Sequence, residues 1–103
     1  MVMELTPEES LENTIGLIHG ATAAAMLDTA MGAAAHTLLP VGQGVVTLDL
    51  KLTYLRPLTT RSGPVQATGR VLNLGSRNAY VEGEARDGAG RLAVHAVGNF
   101  SIL

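Results

Sequence analysis

Between Glu12 and Asp49 the chain carries one formally charged side chain, Asp28, inside the run "GATAAAMLDTAMGAAAH". From about Gly20 to His36 the residues are strong helix formers, with no proline and one interior glycine. Pro40 and Gly42 end the helix. It is apolar nearly all round, which marks a helix wrapped by other structure rather than one lying on a surface. A lone carboxylate in such a helix costs several kcal/mol unless it is paired or hydrogen-bonded. Asp28 and His36 also interrupt Ala21 to Pro40 as a membrane span, since an Asp at the bilayer centre costs about 2.5–3.5 kcal/mol.

The rest of the chain reads as strands. In "VVTLDLKLTYLRP", Val46, Leu48, Leu50, Leu52 and Tyr54 alternate with Thr47, Asp49, Lys51 and Thr53, a period of two over nine residues that predicts a half-buried strand. "GPVQATGRVLNLG" and "RNAYVEGEARDG" are further strands, and "RDGAGRL" is a hairpin turn leading into "LAVHAVGNFSIL". Val2 to Leu5 reads as a short first strand, followed by a turn around Pro7. Strand, buried helix, then four strands with short connections fit an antiparallel sheet curled around one central helix, an α+β fold. Nothing divides residues 1–103, so a single domain is expected.

Bulk properties narrow the function classes. A domain of 103 residues is thin on surface-to-volume grounds, which favours association into an oligomer. There are no cysteines, so disulfide and thiolate chemistry are excluded and a reducing cytoplasm is compatible. A net charge of −2, with only Tyr54, Tyr80 and Phe100 able to stack on bases, argues against a nucleic-acid partner. The start "MVMELTPEES" lacks the basic and apolar regions of a signal peptide, and a cytoplasmic protein with no membrane partner is expected. Ser10, Ser62, Ser76 and Ser101 lie in no nucleophile elbow, and no glycine-rich phosphate loop is present. His19, His36 and His95 lack metal-ligand spacing, so no metal is expected, and the last two read as structural or surface histidines.

Asn13, His19, Gly20 and Asp28 remain. A helix starting near Gly20 points its first amides outward, at the positive end of its dipole, where a developing oxyanion is stabilised. Gly20 offers no side chain to obstruct a carbonyl. Asp28 is placed to act as nucleophile or general base. Yet eight helical residues rise about 12 Å, so one carbonyl carbon cannot touch both positions of one chain. If the two act together, Asp28 comes from a second chain whose helix runs antiparallel beside the first. The neighbours of Asp28 at helical spacing, Ala21, Ala24, Ala25, Gly32 and Ala35, permit that approach; Met31 is the exception. The plainer reading, a carboxylate satisfied by a threonine, an amide or an arginine, stays open on composition and spacing alone. Asn13 and His19 likewise fit a turn and a helix entry.

The pattern N-x-x-G-x-x-H-G over Asn13 to Gly20, an acid eight residues on, "TLDLKLTYLRP" and "GSRNAYVEGEARDGAGRLAVHAVGNF" together resemble the hotdog-fold acyl-CoA thioesterases, most closely the phenylacetate-pathway type with its H-G-G motif. The resemblance covers nearly the whole chain. It implies a curled sheet around the helix, with active sites formed across a dimer that pairs further into a dimer of dimers. It implies that the Gly20 N–H polarises the thioester carbonyl and that Asp28 of the partner activates water or attacks directly. Asn13 would position the water or substrate, His19 would orient the loop and contact the carbonyl, and Thr47, on the polar side of its strand, would help hold the water. Ser76 and Arg77 would bind coenzyme A, which enters as part of the substrate, with no separate cofactor, although Arg77 reads equally as a solvated strand-end residue. Two departures stand out. Ala21 replaces the second glycine of the motif, and the chain starts close to its first strand where relatives carry more sequence. A hotdog hydratase or dehydratase, or a non-catalytic acyl-CoA binder, are the alternatives the same fold admits.

Overall fold

The computed structural model describes residues 2–8 and 17–103. Its elements run β1 (Val2–Leu5), α1 (Gly20–His36), β2 (Val45–Tyr54), β3 (Val65–Leu74), β4 (Asn78–Arg86) and β5 (Leu92–Ile102). The five strands form one antiparallel sheet in the order β1-β3-β4-β5-β2, curled about α1 as expected. β1 and β2 are therefore the edges, and the outer edge of β2 has no partner strand among the described residues.

The core is built from small side chains held close together. Leu27, Met31, Phe100, Val65, Val81 and Val94 are its largest fully buried members, and Ala23, Ala30, Ala35, Ala67, Ala79, Ala85, Ala93 and Ala96 fill most of the rest. With only 3% aromatic residues, the protein obtains its packing by bringing the helix down onto the sheet. Gly69 of β3 opposes Gly83 of β4, which in turn opposes Ala96 of β5. These three make a trough along which Leu27, Ala30 and Met31 lie. A Cβ on Gly69 would stand 2.6 Å from the Ala30 carbonyl oxygen and 2.8 Å from Met31 Cα.

Among the described residues, only one side of α1 is covered. Ala23, Met26, Leu27, Ala30, Met31, Ala34 and Ala35 are buried, whereas Ala21, Ala25, Thr29 and His36 form an exposed stripe. The all-round apolar character of the helix thus corrects to a helix wrapped on one face by its own sheet. Alanine on the open stripe satisfies helix propensity, so hydropathy alone does not separate the two faces.

A second correction concerns β2. The pairing of β2 with β5 shifts between Thr47 and Asp49, leaving Leu48 as the extra residue of a β-bulge. Thr47 opposes the buried Phe100, and Leu50 and Leu52 oppose Gly98 and Ala96 on the same inner face. Val46 and Leu48 are instead 49% and 62% exposed. The unbroken alternation in the sequence conceals a change of face, and Thr47 points inward toward the helix rather than to the polar side. Gly98 permits this, since a Cβ there would meet the Asp49 carbonyl oxygen at 2.7 Å.

The outer sheet face is polar. Glu82 accepts from Arg70 Nη2 at 2.7 Å and lies 3.1 Å from His95 Nε2, and these two partners hold its carboxyl below the ordinary value. His95 and His36, whose Nε2 lies 3.0 Å from the Gln43 carbonyl oxygen, have the structural and surface places expected of them. At the β4–β5 turn the buried Asp87 accepts from the backbone amides of Arg91 and Ala89, each at 3.0 Å, which lowers its pKa. Gly90 closes that turn with φ of 82°, a conformation that favours glycine.

Candidate active site

The start of α1 is capped by His19, whose φ of −58° and ψ of 135° turn the extended chain into the helix. Its Nδ1 accepts from the Ala21 amide at 3.1 Å, and its carbonyl accepts from the Thr22 amide at 2.9 Å. An unprotonated imidazole nitrogen does here what a hydroxyl or carboxylate does at most helix starts. His19 thus caps the helix through its side chain and its carbonyl, and neither bond uses the Gly20 N–H. Tyr54 approaches from the end of β2, and its hydroxyl donates to the Gly20 carbonyl at 2.7 Å. A Cβ on Gly20 would lie 3.3 Å from that hydroxyl oxygen. His19, Gly20 and Tyr54 line a cavity of about 270 Å³ whose apolar walls include Ile18, Leu58 and Val94. A carbonyl entering it meets a helix N-terminus in largely apolar surroundings, the setting in which an amide donor is most effective.

Asp28 lies elsewhere. Thr47, turned inward by the bulge, donates its hydroxyl to Asp28 Oδ1 at 2.6 Å. That bond satisfies one oxygen of the carboxylate and directs the other. The pair lines a second cavity of about 380 Å³, together with Thr29, Gly32, His36 and Phe100. The two cavities open at different points along one helix, with no lining residue in common. Within a single copy the Gly20 amide and the Asp28 carboxylate are thus separated, as the helical rise requires.

Other expected site residues fall apart from these two cavities. Asn13 lies outside the described residues. Ser76 and Arg77 occupy the exposed β3–β4 turn, where the Arg77 carbonyl accepts from the Ile102 amide at 2.8 Å. That turn stands at the end of the sheet where β2 begins, since Val45 pairs with Ile102. Among the described residues no group of three or more His, Asp or Glu is arranged to hold a metal ion. No described helix is long and apolar enough to cross a membrane.

Two lining residues went unrecognised in the sequence. Tyr54 looks like one more apolar residue in an alternating strand, and Arg56 like part of a turn. The only hint was their adjacency in "TYLRP", at the end of the strand that carries Thr47.

The model of the Thioesterase superfamily matches residues 15–94. A candidate esterase of Saccharolobus solfataricus is 33% identical over 102 residues, covering 99% of this chain and 71% of its own length. Among solved structures, a Bacillus halodurans protein crystallised with CoA superposes with a TM-score of 0.93 at 28% identity, over 99% of this chain and 66% of that one. A Ralstonia eutropha protein described as a candidate thioesterase related to phenylacetic acid degradation superposes at 0.89 with 25% identity, over 97% and 74%. The chain spans about two thirds to three quarters of these relatives' lengths. The curled five-stranded sheet around one helix is their hotdog fold. A helix N-terminus offered to a carbonyl and an oriented carboxylate suit thioester hydrolysis, and with the match over most of its length this chain belongs to the Thioesterase superfamily.

Proposed function

We propose that this protein hydrolyses acyl-CoA thioesters in a site completed by two copies of the chain, as a cytoplasmic dimer or dimer of dimers. The observation that carries the reading is the separation of two complementary halves on one helix: Gly20 in one cavity, and Asp28 with Thr47 in the other. An antiparallel pair of α1 helices brings each Gly20 beside the other copy's Asp28. The surfaces for such pairing are present in the uncovered stripe Ala21, Ala25 and Thr29 and the unpaired edge of β2.

In this site the thioester oxygen accepts from the Gly20 N–H. Asp28 of the second copy takes a proton from water as the hydroxyl adds to the carbonyl carbon. Collapse of the tetrahedral intermediate breaks the C–S bond, and the leaving thiolate receives the proton from Asp28. In the other route Asp28 attacks the carbonyl carbon directly, the C–S bond breaks to expel the thiolate, which takes a proton from water, and the mixed anhydride so formed is cleaved by water to free acid and Asp28 carboxylate. In both, the Thr47 hydroxyl holds Oδ1 so that Oδ2 faces the reaction. Asn13 positions the water, while Ser76 and Arg77 contact the coenzyme.

Thiol release from a panel of aryl- and fatty-acyl-CoA substrates tests the reading. Asp28→Asn keeps the shape and removes the base, so kcat is expected to fall by about 10²–10⁴. A wild type that releases no thiol, or an Asp28→Asn variant with unchanged kcat, rejects it.

A further inference from the structure

Thr47 and Tyr54 are separated by an odd number of positions on β2, which in an unbroken strand puts two side chains on opposite faces. The bulge at Leu48 changes that count. Thr47 opposes Phe100 and Tyr54 opposes Val94, both buried on the inner face of β5, so both hydroxyls reach the helix. Thr47 donates to Asp28 Oδ1 at 2.6 Å, and Tyr54 donates to the Gly20 carbonyl at 2.7 Å. One strand thus ties down both groups of α1 that thioester hydrolysis would use.

The ties around Gly20 are nearly complete. In the peptide that precedes it, the His19 carbonyl accepts from the Thr22 amide at 2.9 Å. The peptide that follows it is held at both ends: the Ala21 amide donates to His19 Nδ1 at 3.1 Å, and the Gly20 carbonyl accepts from Tyr54. Of the four polar groups of these two peptides, the three bonds engage all but the Gly20 N–H. Glycine turns about its backbone bonds more freely than any other residue, so the aim of that N–H depends on how firmly its neighbours are held. His19 and Thr22 belong to the same turn and move with it. Tyr54 is the tie from outside the helix, and its strand end is itself anchored, since the Leu55 and Arg56 amides both donate to the Ala93 carbonyl, at 2.7 and 3.1 Å.

We propose that the Tyr54 hydroxyl is a positioning group for the thioester reaction, holding the Gly20 amide at the angle that the developing oxyanion requires without touching the reacting atoms. The assignment rests on the acyl-CoA reading above and adds a residue to it. An oxyanion donor works only where its N–H meets the place the oxygen will occupy in the transition state, so a small tilt of the peptide is felt in the chemical step rather than in binding. In a site that draws Gly20 from one copy and Asp28 from the other, Tyr54 of the first and Thr47 of the second each hold one half. Tyr54→Phe keeps the ring as a cavity wall and removes only the tie.

Two readouts on the intact protein test this. In steady-state thiol release, Tyr54→Phe is expected to lower kcat about tenfold, less than deleting an oxyanion donor outright, and to leave KM within about twofold. The second readout needs no turnover. An acyl-CoA labelled with ¹³C at the thioester carbonyl is bound to Asp28→Asn, and the carbonyl stretch is read by isotope-edited infrared spectroscopy. The band should lie below its position in free solution, because the carbonyl accepts from Gly20, and in Asp28→Asn/Tyr54→Phe it should broaden and move back toward the free value. Glu82→Gln weakens the Arg70 and His95 contacts on the outer sheet face and is expected to alter neither kcat nor the band.

A Tyr54→Phe variant with wild-type kcat overturns the assignment, and so does a loss confined to KM, which would make Tyr54 a wall of the cavity and nothing more. It also falls if kcat drops while the carbonyl band stays where it was, for then the loss does not pass through the Gly20 amide. A wild type that releases no thiol, yet binds acyl-CoA with a band that responds to Tyr54→Phe, sustains the positioning role and rejects the hydrolase reading alone.

Discussion

Gly20 is constrained from three directions. It opens the helix, it faces the cavity, and its carbonyl accepts the Tyr54 hydroxyl at 2.7 Å. An added Cβ would meet Tyr54 Oη at 3.3 Å and Cζ at 3.4 Å, tighter than comfortable but against a side chain that has room to give. Tyr54→Phe is expected to destabilise by about 0.5–1.5 kcal/mol, the net value of one hydrogen bond. Gly20→Ala should then cost less in the Tyr54→Phe background than in wild type, because the nearest atom is gone. Thermal unfolding of the two single variants and the double measures that coupling, and strict additivity would show that the ring does not limit the position. Asp28 illustrates the complementary case. Its hydrogen bond from Thr47 satisfies the plain reading of a paired carboxylate, and the same bond leaves Oδ2 available for the role proposed above, so one contact is compatible with both accounts.

At the scale of elements, the closeness of α1 to β3 and β4 is what a core so short of aromatic residues needs. Gly69 and Gly83 both accommodate it, but against different neighbours. Alanine at Gly69 would strike helix backbone at 2.6 and 2.8 Å, which can yield only by lifting the helix off the sheet. Alanine at Gly83 would meet the Met31 side chain at 2.6 Å, a flexible thioether with other rotamers available. Gly69→Ala is expected to cost about 1–3 kcal/mol or more, and Gly83→Ala less, as read from denaturant midpoints. Equal costs would mean that the helix position is soft. The bounds of the helix and the succession of strands were legible because propensity and periodicity are local. The bulge at Leu48 was not, because a bulge inserts a residue without disturbing the alternation of types. Gly98, a glycine inside a strand, was the one sign of it.

For the whole molecule, the separation of the two half-sites makes an assembly the unit of function in the reading proposed here. A subunit-mixing experiment is specific to that arrangement. Chains carrying Asp28→Asn and chains carrying Gly20→Val are each expected to be nearly inactive as homodimers. Unfolded and refolded together in equal amounts, they form hybrids in which one site draws Gly20 from one chain and Asp28 from the other. Activity should recover to about a quarter of wild type, half the dimers carrying one intact site of two. A mixture no more active than its parents rejects the shared site even if the protein proves to be a dimer.

The order of elements, the extent of α1 and the placement of Gly20 and Asp28 eight residues apart on it follow from the sequence alone. So does the conclusion that one chain cannot bring those two to one carbonyl, because helical rise is set by backbone geometry rather than by context. Tertiary structure alone decided that Thr47 turns inward to Asp28 across 19 positions, that Tyr54 reaches Gly20 across 34, and that three arginines from two loops share a groove adjoining the Gly20 cavity. Those contacts depend on strand register and on how loops meet in space. A bulge of one residue reverses such contacts without leaving a trace in hydrophobic periodicity.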